Sequence, residues 1–306
     1  MITLCSSLDR EIVGGSAEKS TSLTIYSKEN YNATIFFCHE SGNLLHWIVL
    51  ALRFFSVAVL TLFWGVFVIL FSYFDRYGER AVRLIRFWAR GVLWVCGVKV
   101  RVHGRERIDP RKAYLFMANH QSNFDIPILM AAFDTWQVRW VSKQEVRKVP
   151  IIGFCMQRTH QVLVDRDSPT QAVAVIRQVK ALLDVGISAA FFPEGTRTRD
   201  GRLQPFKPGG FAVAAEAKVP VVPTVVIGSR ALWPPGGVDL HPGTVDVIFC
   251  EPVSIDSHLS KKAAREALLQ KVHTAIAQQL REDVPVVAPV SSPASTATSL
   301  PEHPTS

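Results

Sequence analysis

Cysteine is scarce in this chain of 306 residues: Cys5, Cys38, Cys96, Cys155 and Cys250 are widely spaced, odd in number and include no Cys-x-x-Cys pair. Neither a disulfide framework nor a zinc site has that spacing, and a reducing compartment is expected. No pair among His103, His160, His241 and His258 stands at metal-ligand spacing either, so no metal is expected. Acidic residues are outnumbered by basic ones, 26 against 34, for a net charge of +8. Such a balance suits an anionic partner, whether nucleic acid, an acidic lipid surface or a phosphorylated substrate, and it serves simple solubility as well.

Residues 1–45 mix Ser, Thr, Asn and Glu with scattered apolar residues in no clear period and read as a poorly ordered extension. From Trp47 the character changes. Residues 54–74 form an almost unbroken apolar run of about 21 residues, which as a helix reaches about 31 Å, enough to cross a bilayer core. Its place well inside the chain, with no small-residue cleavage site, argues against a removable signal peptide. Arg76, Arg80, Arg83, Arg86 and Arg90 come next, interleaved with Leu84, Ile85, Phe87, Trp88, Leu93 and Trp94. That is the pattern of a basic helix lying on an anionic lipid surface, so residues 46–95 read as a membrane anchor, a hydrophobic helix or helix pair. Whether the run spans or lies in one leaflet is open on sequence, and the positive-inside rule places residues beyond 95 in the cytoplasm.

An α/β rhythm occupies residues 96–283. Strands are predicted at 98–102, 114–118, 138–141, 161–164, 187–192, 221–227 and 245–249, and helices at 125–133, 170–184, 210–218 and 261–281. The 170–184 helix carries Val173, Ile176, Val179, Leu182 and Leu183 at helical spacing and is closed by Gly186. Strands alternating with helices predict an α/β domain with a mostly parallel central sheet flanked by helices. Residues 284–306, rich in Pro, Ser, Thr and Ala, read as a disordered tail.

Four stretches fall where a strand ends or a loop begins, the place where open α/β sheets bind ligands. The first is 119–125, containing His120, Ser122, Asn123 and Asp125. A histidine at a strand-to-helix turn with a carboxylate five residues on can act as a base whose imidazole the carboxylate orients. Asn123 is expected to cap the helix after it, and Ser122 to serve the turn. The second stretch is Val164, Asp165 and Arg166. The third is Phe192-Pro193-Glu194-Gly195-Thr196-Arg197, with Phe206-Lys207-Pro208-Gly209-Gly210 shortly after it. The fourth is 219–223, with Pro220 and Pro223 expected to shape the strand entrance.

In order and spacing these stretches resemble the four signature blocks of the glycerolipid acyltransferases, specifically the 1-acyl-glycerol-3-phosphate acyltransferase family, over roughly residues 95–255. Lys143 and Glu145 resemble a Lys-x-Glu element of the same enzymes. Thr198 stands where many members have Ser, and Pro208-Gly209-Gly210 also departs from the usual run. The resemblance implies transfer of a fatty acyl group from acyl-CoA or acyl carrier protein to the 2-hydroxyl of lysophosphatidic acid, giving phosphatidic acid, at a membrane. It makes His120 the base and Asp125 its partner, and needs no protein nucleophile and no cofactor beyond the thioester co-substrate. Phosphate recognition falls to Arg166 and Arg197, then Lys143, because guanidinium groups meet phosphate in bidentate geometry. Gly195 and Thr196 supply turn donors, Glu194 orients Arg197 or the glycerol, and Pro220 and Pro223 shape an acyl-chain groove. By the same resemblance the expected setting is a bacterial inner membrane, the catalytic domain cytoplasmic, with membrane lipids and no nucleic acid as partners. Two other readings fit the same residues: a different lysolipid acceptor, such as a lyso-ornithine lipid, or a membrane-surface binding protein without turnover.

Overall fold

The computed structural model describes residues 44–165 and 171–280. Arg166 and the tail lie outside these residues, as does all but the end of the N-terminal extension.

Among the described residues two helices come first, α1 (Leu44–Ser72) and α2 (Glu79–Val95). The first begins ten residues before the most apolar run, because Leu44, Leu45, Trp47, Ile48 and Val49 are themselves apolar and carry no helix breaker. After them come β1 (Val98–His103), β2 (Leu115–Ala118), α3 (Asp125–Ala132), β3 (Val138–Lys143), α4 (Ile152–Arg158), β4 (Val162–Val164), α5 (Gln171–Asp184) and β5 (Ser188–Phe191). The chain continues with α6 (Gly209–Ala217), β6 (Val221–Ile227), α7 (Ser229–Leu232), β7 (Gly243–Phe249) and α8 (Lys261–Leu280). Strand order among the described residues is β1-β7-β6-β2-β5-β3-β4. Every neighbouring pair is parallel except β6 with β7. The fold is α/β with a mostly parallel sheet, as the alternation predicts.

The two faces of the sheet are read directly from β2. Leu115 and Met117 enter a core with Val179, Leu183 and Phe211 from α5 and α6 and with Leu268, Val272 and Ile276 from α8. Phe116, between them, points to the other side, where it meets Phe133, Trp136 and Phe249 at centroid distances of 4.7–5.8 Å. That alternation is the period of two that any strand imposes. On α5 the buried stripe is Val175, Val179 and Leu183, while Val173, placed on the stripe by spacing, is exposed. Gly186 does close α5: at φ 80° it lets Ile187 N–H reach Leu182 O (2.9 Å) and its own N–H reach Leu183 O (3.0 Å).

Pro220 and Pro223 belong to the sheet rather than to a groove. Leu115 N–H donates to Pro220 O (3.1 Å), and Cys250 N–H donates to Pro223 O (2.9 Å). The expected acyl-chain groove at these prolines is therefore corrected: neither proline lines either of the two large apolar cavities.

From Arg53 onward α1 packs lengthwise on the rest of the fold. Arg53 Nη1 donates to Leu240 O (2.7 Å), Phe54 meets Trp233 edge-on, Trp88 Nε1 donates to Thr61 Oγ1 (3.0 Å), and Trp64 stacks on Phe87. Its other side stays bare: Leu52, Phe55, Val59, Leu62, Phe63, Val66 and Leu70 are all exposed. The arginine row of α2 is divided in the same way. Arg80, Arg83 and Arg90 are exposed, but Arg86 is buried and donates to Asp134 O (2.8 Å) and to Trp136 O. The expected lipid-facing row thus loses Arg86, because α2 turns that side toward α3 and the loop leading to β3.

Candidate active site

Parallel strands share one carboxyl edge, so the loops leaving β2, β3, β4, β5 and β6 all emerge at the same side of the sheet. That topology brings together loops beginning at Asn119, Gln144, Asp165, Phe192 and Gly228. Asn119 fastens the first of them: its side chain donates to Val226 O (2.9 Å) and accepts from Val226 N–H (2.8 Å), tying the end of β2 to β6.

His120 Nδ1 lies 2.7 Å from Asp125 Oδ2, with the Asp125 side chain wholly buried and the His120 side chain 11 % exposed. The same carboxylate oxygen accepts the backbone N–H of Gln121 (2.7 Å) and of Ser122 (2.8 Å). Its other oxygen accepts the hydroxyl of Ser229 (2.7 Å), which is also fully buried. A buried carboxylate without such donors is costly, and here both oxygens are engaged. On its face the imidazole stacks on Phe192, centroids 3.8 Å apart and planes 10° from parallel, and Phe192 stacks in turn on Trp140 at 5.1 Å.

Ser122 serves the turn as expected, accepting from Phe124 N–H (3.0 Å) and donating to Trp233 O (2.8 Å). Asn123 does not cap α3. Phe124 stands at the cap position without a side-chain cap bond, and Asn123 instead bonds Trp233 and Pro234 across the site. Competition from a tertiary partner removes the local cap.

Glu194 is buried at 3 % exposure, one oxygen accepting His120 N–H (2.6 Å) and the other Gln204 N–H (3.0 Å). These bonds give it a positioning role: it holds the loop carrying His120 against the loop after the Phe-Pro-Glu-Gly-Thr-Arg run. Further bonds join the two loops, from Thr198 N–H to His120 O (2.9 Å) and from Gln121 Nε2 to Gly201 O (2.9 Å). Gly195, at φ 82°, makes the tight turn that leaves Thr196 and Arg197 exposed. Asp200 is held below the usual carboxylate range by the Thr198 hydroxyl and the Arg202 N–H.

Arg197 sits on the rim of an apolar cavity of about 360 Å³ that runs from Asn123 and Trp140 to Gly65 and Val68 of α1. A second apolar cavity, about 370 Å³, lies between β3–β5 and α5–α6, with Phe192, Gly195 and Lys207 on its walls. Lys143 ends β3 on the same edge and is exposed. Among the described residues no group of three His, Cys, Asp or Glu side chains could hold a metal ion. The His120–Asp125 pair is legible in the sequence; Ser229 and Gln204 are not, and nothing in the third stretch marks Phe192 as the residue that stacks on the imidazole. Ser229 is 104 residues from Asp125 and lies in no signature block, so no local signal marks it.

The acyltransferase family model matches residues 99–227. Among similar proteins are a 1-acyl-sn-glycerol-3-phosphate acyltransferase of Limnanthes douglasii, 31 % identical over 54 % of this chain and 58 % of its own, and a chloroplastic one of Brassica napus, 34 % identical over 59 % and 52 %. The same-named enzyme of Pseudomonas aeruginosa is 28 % identical over 69 % of this chain and 81 % of its own. The chain thus spans little more than half the length of the plant relatives. Among solved structures, the 1-acyl-sn-glycerophosphate (LPA) acyltransferase PlsC of Thermotoga maritima superposes with a TM-score of 0.60 at 26 % identity, over 79 % of this chain and 98 % of that one. With the signature blocks gathered at one sheet edge and the same fold as that enzyme, the chain carries an acyltransferase domain over residues 99–227 and is similar to the 1-acyl-sn-glycerol-3-phosphate acyltransferases.

Proposed function

We propose that this protein transfers a fatty acyl group from a thioester, carried on coenzyme A or acyl carrier protein, to the 2-hydroxyl of 1-acyl-glycerol-3-phosphate. The observation that carries the reading is the His120–Asp125 pair, 2.7 Å apart, at the sheet edge where the loop bearing Arg197 bounds an apolar cavity. With Nδ1 committed to Asp125, Nε2 is the nitrogen left to take the proton of the glycerol hydroxyl. The oxygen attacks the thioester carbonyl, the tetrahedral intermediate collapses, and the departing thiolate receives the proton from the imidazolium. Asp125 stabilises the imidazolium while it exists. No residue of the protein is acylated. Arg197 is exposed to receive the acceptor's phosphate, and Arg166 and Lys143 are assigned to the same charge; Thr196 and Gly195 shape the turn that presents Arg197. The thioester is a co-substrate, and no other cofactor enters.

The apolar side of α1 that stays bare from Leu52 onward argues for a helix lying in one leaflet with the catalytic domain packed on it from Arg53 on; with it we propose the setting read from the sequence, the cytoplasmic side of a bacterial inner membrane. A helix of 29 residues whose most apolar 18-residue stretch has a mean hydropathy of 2.5 is long and apolar enough to cross a bilayer. Its bonds to Leu240, Trp88 and Trp233, however, would carry polar domain surface into the hydrocarbon if it stood upright.

The direct test supplies acyl-CoA and lysophosphatidic acid to protein purified in detergent and measures phosphatidic acid formed. His120→Ala is expected to remove turnover, and Arg197→Ala to raise the KM for lysophosphatidic acid more than for an acceptor lacking phosphate. Full turnover by His120→Ala would sink the mechanism.

A further inference from the structure

We infer that residues 146–154 form a second lipid-contacting element: a short apolar prong that dips into an anionic leaflet beside α1 and borders the entrance to the cavity. The inner side of this segment lines the apolar cavity through Val146, Val149, Ile151 and Ile152. Its outer side is apolar too, with Val149, Ile152 and Phe154 each about two-fifths exposed (43, 38 and 44 %). A segment that shows hydrocarbon both to a cavity and to solvent is a contiguous exposed patch of the kind that marks a docking surface.

Three observations commit the outer side to lipid. The first is continuity. Cys155 Sγ donates to Gly65 O (3.6 Å), Arg158 donates to Ser72 Oγ (3.1 Å) and covers the Tyr73 ring at 4.2 Å, and the Ile151 side chain fills the space a Cβ on Gly65 would need. The prong is thereby fixed against the half of α1 whose other side exposes Leu62, Phe63, Val66 and Leu70. The second is charge: Lys143, Arg147 and Lys148, all exposed, adjoin the apolar tip, as cations do where a surface meets acidic headgroups. The third is the backbone. Ile151, a β-branched residue, sits at φ 63°, ψ −56°, and Ile152 N–H donates to Pro150 O (2.6 Å), a γ-turn of the rare positive-φ kind. Strain of this sort persists where surroundings over-determine it and gathers at functional sites. Here it turns Ile151 inward while Phe154, three residues on, faces out. A chain moving from the leaflet past the prong into the cavity would cross no water.

The inference rests on the acyltransferase reading only in its kinetic test. For the contact itself, Phe154→Cys in a Cys5→Ser, Cys38→Ser background is labelled with an environment-sensitive fluorophore, with Val173→Cys on α5 as the control. Vesicles of anionic phospholipid are expected to shift the emission of the 154 label to the blue and leave the 173 label unmoved. For the consequence, Phe154→Asp is expected to lower turnover at least tenfold with acceptor embedded in vesicles. With a short-chain acceptor supplied as monomer, its turnover stays within twofold of wild type. Phe154→Leu should keep both rates. An unmoved 154 label on vesicle-bound protein overturns the inference, as does equal loss on both acceptors, or a 154 label shifted only by self-association without lipid. If the wild type acylates neither acceptor, the proposed function falls while the label still decides the contact.

Discussion

Ser229→Ala removes a single hydroxyl and tests how far catalysis depends on a residue remote from the signature blocks. The hydroxyl donates at 2.7 Å to Asp125 Oδ1, and both side chains are fully buried, so no water replaces it. Leaving one oxygen of a buried carboxylate without its donor costs about 1–3 kcal/mol. If that cost is felt when the imidazolium forms, turnover falls about 5- to 150-fold; if it is felt in the resting fold, a similar amount is lost from stability. Release of free thiol from acyl-CoA measures the first and chemical denaturation the second. Ser229→Cys, close in volume and a weak donor, should fall between wild type and Ser229→Ala. In a His120→Ala background the Ser229→Ala change should still lower stability but cost no further turnover, because the base it supports is gone. Turnover within twofold of wild type together with an unchanged denaturation midpoint would refute the reasoning.

Glu194→Gln places an amide N–H₂ against the N–H of His120 or of Gln204; a loss of about 1–3 kcal/mol is expected, seen as a lower midpoint, lower turnover and faster tryptic cleavage after Arg199 or Arg202. Burial pushes the Cys155 thiol up to about 11, so at pH 8 its thiolate fraction is about 100-fold below that of an ordinary thiol and alkylation should slow accordingly, read peptide by peptide by mass spectrometry. Because the unfolded thiol ionises near 9.0 and the folded one only near 11, this group subtracts stability as pH rises through that window. Cys155→Ser should flatten that part of the stability profile.

Much of the site is legible in the sequence because it is local. His120 and Asp125 are joined by one turn, and the apolar strand before them and helix after them fix where that turn stands. The strand positions come from apolar runs bounded by breakers, and Gly186 marks its helix end through a backbone conformation that side chains resist. The missing parts are non-local. Nothing in β6 or β7 states that they pair antiparallel, since an apolar run has no direction. Nor does the spacing of five arginines say that Arg86 turns inward. Asn123 has the composition of a helix cap, yet Trp233 and Pro234, about 110 residues on, supply its partners instead.

The sequence by itself determined the α/β class, the apolar first helix, the pairing of His120 with Asp125 and the likeness to the acyltransferases, since each depends on residues close along the chain or on a fixed order of blocks. Only the tertiary structure decided that Ser229 completes the carboxylate's bonds, that Phe192 lies on the imidazole, that Glu194 braces backbone, and that α1 from Arg53 onward packs on the domain. Those contacts join segments tens to more than a hundred residues apart, and burial, which makes each of them count, exists only once the sheet has formed.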